Sequence, residues 1–387
     1  MIIFDKPFVS DVIASYAAQS ETPVLDNAAA RDVAGRFPLR LVDERTFAGA
    51  AAAGKRLYTV SENALEWVYA HVDNKALLDG VRMMKDKHAL RTALRPMYPD
   101  YFFRRVPVSR LRELDIGDIA RPFILKPAVG FYSVGVYTVI DERDWFAALD
   151  DIERNMAAWK SRYPSDVLGD ADFLLESFIQ GEEYAVDVYF DGDGEAVIVS
   201  IMKHDFASAR DVSDRLYYTS REIIRDKLAP FTQYFTAMNR YAGVRNFPAH
   251  IEIRETADGS LIPIECNPLR FSGWCTTDLA YYAFGVRTYE YYLENRRPDW
   301  DSLLAGKGGA IYSMIILDKP AGGVPQGVRF DYNAVNADFS QVLHLRRMEK
   351  PEYPMFGFVF ARTPRENRAE LDRIMRSDLS EYLERAS

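Results

Sequence analysis

Between Phe247 and Gly273 the chain reads FPAHIEIRETADGSLIPIECNPLRFSG, two alternating runs on either side of Asp258-Gly259. An Asp-Gly pair between alternating apolar residues is the strongest short-range hairpin signal. With those two residues as the turn, counting outward sets Ala257 opposite Ser260, Arg254 opposite Pro263, Glu252 opposite Glu265 and His250 opposite Asn267. Side chains alternate faces along a strand, so His250, Glu252, Glu265 and Asn267 share one face. Ile251, Ile253, Ile264 and Cys266 take the other, which reads as core.

Opposed residues bring their Cβ atoms within ~5 Å of each other. Two ionised carboxylates at that separation repel by about 3 kcal/mol at an effective dielectric of about 20. Either one carboxyl stays protonated or a cation sits between them. Two carboxylates and the Asn267 amide oxygen are hard donors suited to magnesium. The competing reading is a solvent-facing hairpin whose acids spread apart to pair with Arg254 or Arg270.

The rest of the chain narrows the choice. Its 387 residues allow two or three domains, and 48% hydrophobic with 27% charged residues is ordinary globular composition. A net charge of −9 offers no footprint for nucleic acid or an anionic membrane. Cys266 and Cys275 are too few for a disulfide framework and lack zinc spacing, which fits a reducing cytoplasm. MIIFDKPFVS does not read as a signal peptide, and the uncharged stretch 127–140 is too short to span a bilayer.

Residues 1–85 alternate short β-like runs (Ile2-Ile3-Phe4, Pro23-Val24-Leu25, Arg56 to Val60) with helical ones, the rhythm of a small, mostly parallel sheet. Ser61 reads as the cap of the last of these helices. Asp86 can cap a helix to about Leu94, and Pro122 to Val139 reads strand, turn, strand. Asp144 to Trp159 is amphipathic, with Trp145, Phe146, Leu149, Ile152, Met156 and Trp159 on one stripe. Phe231, Phe235, Met238 and Tyr241 mark a helix that stops at Gly243. The tail, 301–387, ends in a helix with an apparent capping box, Thr363-Pro364 with Glu366.

Three further stretches carry chemistry. Phe123 to Pro127 places Lys126 at the end of an apolar strand, before a turn holding Gly130, Ser133 and Gly135. An ammonium beside exposed backbone N–H groups suits phosphate; the alternative is an edge-strand lysine with a structural turn. In Leu174 to Tyr184 a strand runs into a linker, whose backbone around Ile179 can meet an adenine edge while a carboxylate accepts from ribose; an acidic loop is the alternative. Lys87, at a helix start, is a second phosphate lysine. Lys203 and Arg215 can reach phosphate too, although surface roles suit both better.

In order and approximate spacing, these motifs resemble the ATP-grasp superfamily over about residues 86–273, most closely its carboxylate–amine ligases that join amino acids. The Lys-Pro loop and the Glu-x-Asn-Pro strand end are its most specific elements. The resemblance implies an α/β (α+β) ATP-grasp fold. It would have an N-terminal α/β domain (1–85), an ATP-grasp domain (86–300) whose 86–182 and 183–300 subdomains clamp ATP, and a small C-terminal α+β subdomain (301–387). It implies that Lys87, Lys126 and Ser133 contact ATP phosphates, Glu176 and Ile179 meet adenine, and Glu183 meets ribose. Glu252, Glu265 and Asn267 would hold Mg2+, two ions in all and replaceable by Mn2+. Arg270 and His250 would be catalytic, Arg270 facing the γ-phosphate or a substrate carboxylate. The arginine comes one residue later than in relatives, and His250 suits either phosphate or pairing with Asn267. The implied activity is ATP-dependent amide or peptide bond formation through an acyl phosphate, releasing ADP and phosphate. A phosphotransferase and a non-catalytic nucleotide-binding regulator are the alternatives. Partners would be small carboxylates and amines, with neither nucleic acid nor membrane, in a cytoplasmic protein able to form a homodimer.

Overall fold

The computed structural model describes residues 1–129, 135–162, 172–208, 213–320 and 323–385, with the backbone alone for 156–162. Four two-residue strands, β1 (Ile2–Ile3), β2 (Val24–Leu25), β3 (Leu41–Val42) and β4 (Tyr58–Thr59), form a parallel sheet in the order β3-β2-β1-β4. The helices between them start at side-chain caps, Ser10, Asn27 and Asp43. The next helix, Ala64–His71, begins after Asn63, two residues past the Ser61 cap that the sequence suggests; Ser61 instead accepts the Asn63 N–H at 3.2 Å.

The following sheet is small and antiparallel, ordered β5 (Phe103–Pro107), β8 (Asp172–Ser177), β6 (Phe123–Pro127), β7 (Tyr137–Val139). Period-two alternation divides its faces. Phe123, Leu125, Phe173 and Leu175 pack with Trp145, Leu149 and Ile152 of the helix Glu142–Arg162, whereas Ile124, Lys126 and Glu176 turn the other way. Phe146 departs from the expected stripe and is exposed; Ala148 is buried in its stead.

A short linker leads into β9 (Glu182–Phe190), which sits inside an eight-stranded sheet ordered β13-β12-β9-β10-β11-β14-β17-β16. Here β10 is Ala196–Asp205, β11 Leu216–Thr219, β12 Phe247–Glu255 and β13 Leu261–Pro268. The tail supplies β14 (Ala310–Asp318), β16 (Val342–Arg347) and β17 (Met355–Pro364), so its strands extend this same sheet, while β15 (Val328–Phe330) pairs with β18 (Leu383–Arg385). Helix Arg221–Ala242 lays Ile224, Phe231, Phe235 and Met238 into the core and ends at Gly243, whose φ of 69° needs no Cβ accommodation. The Thr363 capping box does not form. Thr363 is still paired with Ile311 in the β17–β14 ladder, and the helix starts only at Ala369. Where a ladder is available, it takes the backbone groups a local cap would use.

The hairpin differs from its expected form at the tip and agrees at the base. Ser260 O accepts from Thr256 N–H, Thr256 O accepts from Gly259 N–H, and Gly259 has a φ of 82°, so the loop is one residue longer than an Asp-Gly turn. Arg254 therefore faces Ile262, not Pro263. A bulge at Ile264 then restores the register, leaving Glu252 opposite Glu265 and His250 opposite Asn267. The bulge also takes Ile264 off the core face. Pro263 is buried instead, and Ile264 lines a cleft beside Glu265.

Candidate functional site

The cleft, about 650 Å³, lies between the small sheet and strands β9, β10, β12 and β13. It gathers Lys87, Lys126, Glu176, Ile179, Glu183, Glu252 and Glu265 from five separate stretches of chain. Gly181 lies in its linker wall, against the end of β12. A Cβ there would lie 2.2 Å from the Glu255 carbonyl oxygen, so the linker can pass that strand only as glycine.

Lys126 Nζ reaches Glu176 Oε1 at 2.5 Å and donates to the Ile264 carbonyl at 3.2 Å, the carbonyl that the bulge presents. The other oxygen of Glu176 accepts from Arg91 Nε at 2.8 Å. Burial alone would raise the Glu176 pKa, but Arg91 and Lys126 outweigh it and hold the carboxyl at about 2. Burial lowers the pKa of Lys126 despite Glu176. With both oxygens held by cations, Glu176 supports Lys126 in this structure, and the linker backbone beyond it forms the wall of the cleft. Within that wall the Ile179 carbonyl accepts from Arg254 Nη1 at 2.6 Å. Glu183 is held on both sides, by His204 Nδ1 and by Arg254 Nε, each at 2.9 Å.

Lys87 sits in the first turn of the helix Lys87–Ala93, capped by Asp86 as expected, and its backbone N–H donates to Ala128 O at 3.0 Å. That bond ties the helix start to the loop after Lys126. Its Nζ lies 3.0 Å from Glu265 Oε2. One end of the Asn267 amide lies 3.0 Å from Glu265 Oε1 and 2.5 Å from Glu62 Oε1, an end that hydrogen bonding to two carboxylates would assign to the nitrogen. Among the described residues no three His, Cys, Asp or Glu side chains form a metal cluster. Glu252, Glu265 and Asn267 nevertheless suit magnesium, which takes one or two protein carboxylates and completes its octahedron with phosphates and water.

His250 is buried and does not pair with Asn267, the residue opposite. Its Nδ1 is 2.8 Å from Asp187 Oδ1, and its Nε2 is 3.7 Å from Glu252 Oε1. Burial disfavours the imidazolium, but the bonds to Asp187 and Glu252 prevail and raise its pKa to about 9. Asp187, fully buried, also accepts from Ser272 N–H at 2.9 Å and Thr277 Oγ1 at 2.6 Å. Arg270 follows Leu269, whose left-handed φ of 60° turns the chain off β13 and whose carbonyl accepts from Thr59 N–H at 2.8 Å. Its guanidinium then pairs with Glu62 and donates from Nη1 to Phe271 O at 2.8 Å. Lys203, expected at the surface, lines the cleft and pairs with Glu182. Arg215 turns towards the tail, to Asp318 at 3.3 Å and the Ser377 carbonyl at 3.0 Å. Ser133 lies outside the described residues.

Several residues in and behind the cleft were not expected from the sequence. Arg91, Glu62, Lys85 and Asp187 act through buried ion pairs, and His204 stacks on Tyr217 at 4.1 Å. Asp187 carried a usable signal, a single acid in the otherwise apolar run Tyr184 to Phe190; the others carried none.

Residues 119–278 match the ATP-grasp domain family. In three dimensions the whole chain is similar to three ATP-grasp-fold enzymes. An L-amino acid ligase from Bacillus licheniformis has a TM-score of 0.69 and 16% identity, over 99% of this chain and 97% of that one. An N5-carboxyaminoimidazole ribonucleotide synthetase from Thermotoga maritima gives 0.62 and 14%, over 100% and 99%. A biotin carboxylase from Campylobacter jejuni gives 0.60 and 14%, over 94% and 87%. No curated protein matches the chain in sequence. Fold and family match thus define a protein with an ATP-grasp domain. Residues 119–278 match that family, and the chain shares its fold with these enzymes. No described helix is long and apolar enough to cross a membrane.

Proposed function

We propose that this protein is an ATP-dependent carboxylate–amine ligase that forms an amide or peptide bond and releases ADP and phosphate. One observation carries the reading: two buried lysines on separate elements, Lys87 and Lys126, converge on the cleft that also holds Glu252 and Glu265. A cleft built for a neutral ligand would not bury two ammonium groups beside an opposed carboxylate pair.

In the proposed reaction an oxygen of the substrate carboxylate attacks the γ-phosphorus of ATP and ADP leaves. The amine nitrogen then attacks the acyl carbon, loses a proton, and phosphate departs with that carboxylate oxygen. Lys126 and Lys87 neutralise and align the phosphates, work that phosphoryl transfer chiefly demands of a protein. Magnesium held by Glu252, Glu265 and Asn267, with manganese as a substitute, would spread the charge of the β- and γ-phosphates. Arg270 lies past the end of the metal strand, suited to a carboxylate or the γ-phosphate. His250, oriented by Asp187, acts from behind Glu252. The Ile179 linker and the Glu183 end of β9 form the adenine and ribose side. A cytoplasmic setting and a homodimer belong to the same proposal.

The reading is tested by ADP release over a matrix of amino acids and small acids, with mass spectrometry of each hit. An amide product with free phosphate is expected. A phosphorylated product would make the protein a phosphotransferase. ATP binding without turnover across a broad panel would make it a regulator.

A further inference from the structure

We propose that His204 is a positioning residue that, doubly protonated at neutral pH, pins Ser213 and the cleft-lining Asp214 to Glu183 and so tightens nucleotide binding. This rests on reading the Glu183 end of β9 as the ribose side of a nucleotide cleft. His204 sits near the end of β10, with its ring buried. Nδ1 lies 2.9 Å from Glu183 Oε1, and Nε2 lies 3.1 Å from the Ser213 carbonyl oxygen. A backbone carbonyl only accepts. So does Glu183: burial would raise its pKa, but the bonds from His204 and Arg254 lower it and keep the carboxylate ionised. A neutral imidazole has one N–H and satisfies one acceptor, leaving a lone pair against the other. Both contacts are hydrogen bonds only when both ring nitrogens carry protons.

The surroundings favour that cation. The ring stacks on Tyr217, centroids 4.1 Å apart, and lies 4.0 Å from the Phe206 ring, and aromatic faces attract positive charge. Facing it from β9 is Glu183, with Arg254 of β12 on the far oxygen at 2.9 Å. Ahead of β11 stands Asp214, whose Oδ1 accepts from the Tyr217 hydroxyl at 2.6 Å, and β12 adds Glu252. Its neighbours along β10, Lys203 and Asp205, pair elsewhere, with Glu182 and Arg368. Burial disfavours the charged ring, but Glu183, Asp214 and Glu252 together raise its pKa above the ordinary 6.5. The clamp is therefore complete below 6.5 and is lost as pH rises through the raised value. A ring left with one N–H keeps it for the charged Glu183 and releases the Ser213 carbonyl, so Asp214 loses its tie. The simpler alternative is a neutral ring that holds Glu183 alone and packs between Phe206 and Tyr217. That role would leave nucleotide affinity unchanged wherever His204 titrates.

The test makes two measurements on the full chain, from about pH 7 upward through loss of the second ring proton. Metal-free ADP is titrated calorimetrically in EDTA, which keeps magnesium at Glu252 out of the comparison. Nitrogen-15 NMR of histidine-labelled protein counts the ring protons, and the His204 signal is the one missing from His204→Gln. Wild type should show two protons on that ring at pH 7. Its ADP affinity should fall about three- to tenfold as one is lost, the worth of one hydrogen bond. His204→Gln has no charge and serves at most one of two acceptors on opposite edges of the ring. It should bind ADP about three- to tenfold more weakly at pH 7 and show no such fall. His250 is intact in that variant, so a fall caused by His250 would persist. Should His204→Gln not fold, substituting the other histidines in turn assigns the signal, and the wild-type comparison still decides. A single ring proton at pH 7, a pH profile shared by His204→Gln, or a wild-type affinity indifferent to the lost proton would overturn the proposal. A wild type that binds no ADP at any of these pH values would instead overturn the nucleotide-site reading beneath it.

Discussion

Glu176 stands between two buried cations, with Oε1 2.5 Å from Lys126 Nζ and Oε2 2.8 Å from Arg91 Nε. Removing one member of such a set leaves uncompensated charge in the interior. Glu176→Ala is therefore expected to destabilise the protein by about 3–5 kcal/mol in chemical denaturation. The same pairing sets a pH dependence. The carboxyl is held at about 2, below its ordinary 4.5, so its stabilisation is complete above about 4.5 and lost as pH falls towards 2. Wild type should lose stability across that window more steeply than Glu176→Gln, which has no proton to take up. Parallel acid titrations of the two melting temperatures decide it.

Lys87 and Glu265, 3.0 Å apart, bind the helix Lys87–Ala93 to strand β13. Glu265→Ala should fold and yet show no ATP turnover. Near-normal turnover in a correctly folded Glu265→Ala protein would remove Glu265 from the site.

The linker wall depends on the absence of a side chain at Gly181. Alanine there meets the Glu255 backbone, which cannot rotate away as a side chain would. Gly181→Ala should cost about 1–3 kcal/mol of stability and weaken ADP binding. Urea unfolding and ADP titration on the same preparation measure both.

Arg346, from β16, donates to Trp274 O at 2.6 Å and to buried Asp278 at 2.8 Å, and its guanidinium lies 4.8 Å from the Phe8 ring centroid. The tail thus clamps the turn after β13, where Trp274 and Cys275 both hold a φ of 54°. Arg346→Met leaves Asp278 buried without its cation and should destabilise by about 3–5 kcal/mol. Denaturation followed by tryptophan fluorescence reads the loss.

The base of the hairpin was legible because alternation and opposition are local properties. Its tip was not, and two errors cancelled: the loop is one residue longer, and the Ile264 bulge takes up that residue. Lys87 and Lys126 were legible from their places at a helix start and a strand end. What supports them was not. Glu62 meets Arg270 across 208 positions and Arg91 meets Glu176 across 85, and nothing local in the sequence marks such pairs. The Thr363 cap failed for the opposite reason, a local signal overruled by a ladder partner, Ile311, 52 positions away.

In the proposed reaction one oxygen of the substrate carboxylate leaves with the phosphate and the other stays in the amide. A carboxylate that drives ADP release, labelled with 18O at both oxygens, tests it directly through mass spectrometry of the inorganic phosphate. One labelled oxygen in phosphate and the other in the amide is the predicted result. Unlabelled phosphate, or label retained in a phosphorylated product, would contradict the ligase account.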